Sequence, residues 1–135
     1  MKRLARLLFR VARAPVLRGL MRWIVTGVFQ TMSWILPVDR LRETATLIAF
    51  YHPRPSYPFH VLIVPKRDLS DIRDLTAAQT DFMADLFQTA QSLVDEFGLE
   101  AVGYRLITNG GRYQDVPHLH FHLIAESEPP GRSVS

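Results

Sequence analysis

The chain has no cysteine, no acidic residue before Asp39 and no uncharged apolar run of bilayer-spanning length. The first absence excludes disulfides, thiolate nucleophiles and every cysteine-based zinc or iron–sulfur centre. A reducing compartment suits such a chain. The longest uncharged stretch, Trp23 to Val38, is diluted by Thr26, Gln30, Thr31 and Ser33. It falls short of the roughly 20 apolar residues that a membrane-crossing helix needs. What is present is ordinary for a folded protein: 135 residues, 47% hydrophobic and 21% charged. That length and composition indicate one globular domain with a sizeable core.

The shortage of acid at one end divides the chain. Residues 1–38 carry Lys2, Arg3, Arg6, Arg10, Arg13, Arg18 and Arg22, so the net charge of +3 hides an acidic remainder. Arginines 3, 6, 10 and 13 and apolar residues 4, 7, 8 and 11 recur at helical spacing on different faces, which predicts a basic amphipathic helix ending near Pro15. A signal peptide would need a shorter basic region and a small-x-small cleavage site. Packing on the domain or on a partner is one use for such a segment. Arginines beside Trp23, Phe29 and Trp34 fit better with docking on an anionic membrane surface. The regular apolar stripe argues against nucleic acid as the partner. These features predict a cytoplasmic protein, peripheral on the inner membrane face.

From Asp39 the pattern is that of an α+β domain, expected to run over residues 39–127 with a flexible tail at 128–135. "ETATLIAFY" (43–51) and "FHVLIVP" (59–65) read as strands, separated by the proline-rich loop "HPRPSYP". A long helix follows, opened by a capping box of Thr76 and Gln79 and closed by Gly98. Its predicted apolar stripe is Phe82, Met83, Leu86, Phe87, Ala90, Leu93, Val94 and Phe97. "GYRLIT" (103–108) and "VPHLHFHLIA" (116–125) then form a hairpin around a glycine-containing loop.

The last strand carries the chemistry. His118, His120 and His122 alternate with Leu119, Phe121 and Leu123. On a strand, alternate side chains share one face about 6.6–7 Å apart, so the imidazoles should form a row while the apolar residues enter the core. An H-x-H pair can chelate zinc, and Asp115 or His60 could supply a third ligand. A neutral imidazole can also attack phosphorus, with neighbouring histidines and the amides of the Asn109–Gly111 loop donating to phosphate oxygens.

"HLHFHLI" resembles the alternating signature of the histidine triad (HIT) family. "YPFHVLIVPKR" is similar to the family segment that bears its fourth histidine, here His60. "YRLITNGG", followed by Gln114 and then by Pro117 and His118, resembles the strand and loop before the triad. The resemblance spans about residues 40–125 and lies nearer the Hint-like branch than the diadenosine-polyphosphate hydrolases. It implies an antiparallel sheet meander with one long helix, commonly a homodimer, and no obligatory metal or cofactor. It implies that His120 attacks the α-phosphorus and forms a nucleotidyl-histidine, and that His122 binds phosphate oxygen and assists the leaving group. His118 and His60 would support the row, and Asn109 and Gln114 would contact phosphate or ribose.

Three positions depart from the family pattern. Tyr113 replaces a glycine, Asp115 stands where a small hydroxyl residue usually touches the leaving atom, and His52 or a neighbour replaces the loop acid that meets the ribose. The resulting expectation is a hydrolase or transferase acting on purine nucleoside phosphoramidates or related nucleotides. The alternative is a nucleotide-binding or assembly subunit with little turnover, tethered through residues 1–38.

Overall fold

"FHVLIVP" has one polar side chain in seven, and its place in the fold accounts for that. It forms the central strand of a five-stranded antiparallel sheet and is buried along its whole length. The structure, a computed structural model, describes residues 40–132. The predicted amphipathic helix and the membrane-docking segment, residues 1–38, lie outside the described residues, as do residues 133–135.

The strands are β1 (Arg40–Glu43), β2 (Leu47–Tyr51), β3 (Phe59–Pro65), β4 (Arg105–Ile107) and β5 (Phe121–Ala125), with the helix α1 (Thr80–Phe97) between β3 and β4. Their order across the sheet is β1–β2–β3–β5–β4, every neighbouring pair antiparallel. This is the α+β arrangement that the sequence implies.

The stretch expected as one strand from 43 to 51 is divided between β1 and β2. Thr44 and Thr46 make the turn, and both hydroxyls donate to the Asp85 carboxylate on α1, at 3.2 and 2.6 Å. That contact pins the hairpin to the helix. The capping box exists as drawn: Thr76 and Gln79 close a short 3-10 turn that runs directly into α1. Gly98 ends the helix in the left-handed region at φ 67°, where its amide bonds the Val94 carbonyl. Any side chain there would be strained and would also meet Pro130, whose Cγ lies 2.9 Å from the Cβ position.

One face of the sheet packs on α1. Leu47, Phe59, Val61, Leu119, Phe121 and Leu123 meet Phe82, Leu86, Leu93 and Phe97 in a single apolar cluster. Each enclosed Leu or Phe contributes about 1.5–3 kcal/mol through the apolar area that it removes from water. The stripe is narrower than expected, because Phe87 is exposed and Met83 only partly buried. The tail boundary at 128 also shifts. The Gly131 amide donates to the Phe97 carbonyl at 2.9 Å, and Arg132 lies over the Tyr51 ring and donates to the Pro58 carbonyl at 2.8 Å. The packed chain therefore continues through residue 132.

Candidate active site

The face of the sheet away from α1 carries the histidines. Leu62 on β3 lies directly opposite His122 on β5, and His60 opposite Ile124. This register sets His60 and His122 on one face at a diagonal, close enough for their rings to touch. His60 Nε2 and His122 Nδ1 are 2.8 Å apart. His52, at the start of the proline-rich loop, lies against His60 with ring centroids 4.4 Å apart. His120 stands 5.1 Å from His122. Four of the five histidines thus form one stack.

Their partners settle which nitrogen carries each proton. A neutral imidazole has one donor and one acceptor nitrogen. The Ser56 amide donates to His60 Nδ1 at 3.1 Å, so the His60 proton resides on Nε2. That proton is donated to His122 Nδ1. The His122 proton must then sit on Nε2, a buried atom with no hydrogen-bond partner in the protein. His120 has the opposite tautomer. Its Nδ1 lies 2.7 Å from the His118 carbonyl, which can only accept, so Nε2 keeps a bare lone pair.

Burial holds these rings neutral at pH 7. It lowers the pKa of His60 to about 4. It does the same to His122, also to about 4, with help from the charges of His120 and His60. His120 is lowered as well, again through burial, while the His118 carbonyl and the Asp115 carboxylate pull it back upward. Removing an imidazolium from water costs more than these partners return.

The pocket beside the stack is lined by His52, Arg54, Leu62, Asn109, Tyr113, Asp115, Val116, His120 and His122. It therefore gathers His120, His122, Asn109, Asp115 and His52 from the residues that the sequence singled out, with His60 behind them. Two others do not line it. His118 is buried and directs Nε2 to the Pro65 carbonyl at 3.1 Å, tying the triad segment to the end of β3. Gln114 donates to the Ser70 carbonyl at 2.6 Å and so braces the loop rather than the pocket. The expected row of three rings on one strand is also shorter: β5 begins at Phe121. Before it, the Leu119 amide bonds the Leu69 carbonyl instead of a neighbouring strand. Among the described residues no three His, Asp or Glu side chains are grouped so that they could hold a metal ion.

Tyr113, noted in the sequence as a departure from the family pattern, also lines the pocket, while Arg54, Leu62 and Val116 were not anticipated. Leu62 was hidden in an apolar strand. Arg54 had a signal, being the cation in the proline-rich loop two residues after His52.

The chain has counterparts among known proteins. A family model for the HIT domain matches residues 36–128. The chain belongs to the histidine triad family. A HIT-like protein of Rickettsia prowazekii is 36% identical over 92 residues, covering 66% of this chain and 77% of that protein. A purine nucleoside phosphoramidase of Escherichia coli is 30% identical over 91 residues, covering 66% and 76%. Among solved structures, a HIT family hydrolase from Clostridium thermocellum superposes with a TM-score of 0.66 at 29% identity, covering 81% of this chain and 96% of that one. The matched region of the HIT domain includes all five histidines.

Proposed function

We propose that this HIT protein is a phosphoramidase-like hydrolase or transferase that passes a nucleotidyl group from a purine nucleoside phosphoramidate through His120. The observation that carries the reading is the pair of tautomers: a bare Nε2 on His120 beside an unpartnered Nε2–H on His122. The first is a nucleophile and the second a donor for a phosphate oxygen.

In the first step the His120 Nε2 lone pair bonds to phosphorus and the P–N bond breaks. The amine leaves with the bonding pair and takes a proton from solvent. Positive charge that develops on the His120 ring is shared with Nδ1–H, which already faces the His118 carbonyl oxygen. His122 Nε2–H donates to a non-bridging oxygen as charge accumulates there. In the second step a water oxygen bonds to phosphorus, the His120–P bond breaks, one water proton goes to solvent, and the nucleoside monophosphate leaves. A hydroxyl or amine in place of water makes the same cycle a transfer. The hydrolase and phosphoramidase names of the relatives support this chemistry.

The test is rapid quenching of the protein with adenosine 5′-phosphoramidate, followed by intact-mass analysis. The account expects turnover to adenosine monophosphate and an adenylyl adduct that maps to His120. Tight nucleotide binding with neither turnover nor adduct would support the binding or assembly role instead.

A further inference from the structure

The pocket has a charge pattern that phosphate chemistry alone does not require. Arg54 and Asp115, both exposed, line it together with His120 and His122. Neither takes part in any of the ion pairs among the described residues. One small cavity therefore holds a guanidinium and a carboxylate that do not neutralise each other.

Arg54 suits an anionic phosphate. Asp115 opposes one, and its charge reaches the reacting centre, since it acts on the His120 ring. In a nucleotide substrate the ribose and base are uncharged at neutral pH and the phosphate is negative. The leaving group is the one part that can be cationic. We infer that Asp115 is a specificity-determining residue that selects nucleotides whose amine leaving group carries an ammonium, with Arg54 holding the phosphate across the same pocket. The ligand class is a zwitterionic nucleoside phosphoramidate. This deepens the chemistry proposed at His120 and rests on it for turnover, but not for binding.

Three adenosine 5′-phosphoramidates of equal chain length test it, ending in an ammonium, a methyl or a carboxylate group. For the full-length protein, kcat/KM should fall in that order, by at least about tenfold from first to last, equal to about 1.4 kcal/mol. In Asp115→Asn the spread should shrink to less than about threefold, because the carboxylate that distinguishes the three is gone. Equilibrium binding of the same compounds to His120→Asn reads the preference without turnover. If no compound is turned over, the hydrolase reading fails, and the binding order still decides the role of Asp115. A flat or reversed order, or an order that survives Asp115→Asn, overturns the inference. So does an equal loss on all three compounds, which would assign Asp115 to the ribose hydroxyls.

Discussion

His118 and His122 are the same residue type, four positions apart in one segment, and the fold uses them in opposite ways. His118 is enclosed and spends its ring proton on the Pro65 carbonyl, so it fastens the segment before β5 to the end of β3. His122 accepts a hydrogen bond from His60 and points its own Nε2–H at no protein atom. A histidine whose donor is already used can hold a structure, and one whose donor is unused can serve a ligand. Between them, His120 takes its orientation from His118, through the backbone carbonyl rather than the ring. Spacing makes the three look equivalent, and hydrogen-bond partners make them different.

The contrast is broken most severely at His120. His120→Asn should lower kcat by about 10⁴-fold or more, the loss typical of a missing nucleophile. His122→Ala, which removes a donor to phosphate oxygen and the acceptor of the His60 Nε2–H, should cost about 10²–10³-fold. Stopped-flow or quenched assays with adenosine phosphoramidate rank the two. Equal losses would mean that His122 does more than donate a hydrogen bond.

His118→Leu sharpens the other side. It leaves the buried Pro65 carbonyl without the ring donor, at a cost of about 1–3 kcal/mol in stability. Because His120 is held by the backbone oxygen of residue 118, which the substitution keeps, kcat of the folded protein should stay within about threefold of wild type. Urea unfolding and a single-temperature assay measure both quantities. A large loss of kcat at full stability would show that the His118 ring belongs to the reaction.

Acid acts on the neutral pair. His60 and His122 have pKa values near 4 in the fold, below the ordinary value of 6.5. The unfolded chain therefore binds protons first as the pH falls. Stability from keeping these rings neutral is fully present above pH 6.5 and is lost as the pH drops through that value toward 4. The unfolding free energy should be level from pH 8 to 7 and then decline, by up to about 1 kcal/mol per pH unit for His60. His60→Asn should flatten that decline. An unchanged slope in the variant would place the acid sensitivity elsewhere.

Sequence pattern reached much of this architecture because the decisive signals are local. The apolar run of β3, the Thr76–Gln79 cap and Gly98 each encode their own structure. β1 was missed because "RLRE" has no strand-like apolar alternation, and its pairing comes from β2. The late start of the triad strand depends on the Leu69 carbonyl, far away in sequence. The gathering of histidines beside one pocket was legible, since alternating histidines are a compact signal. Its proton arrangement was not. That arrangement is fixed by the Ser56 amide and by the Pro65 and His118 carbonyls, backbone atoms that every residue has and only folding brings into place. Gln114 illustrates the same limit: its position suggested the ligand, and the Ser70 carbonyl claimed it.

The claim on which the chemistry rests is the pair of opposed tautomers, and nitrogen-15 NMR of the histidine rings at pH 7 reads it directly. The account predicts His120 protonated at Nδ1 with a bare Nε2, and both His60 and His122 protonated at Nε2. A His120 ring protonated at Nε2, or a His122 ring protonated at Nδ1, would contradict it, because the nucleophile and its donor would then have exchanged roles.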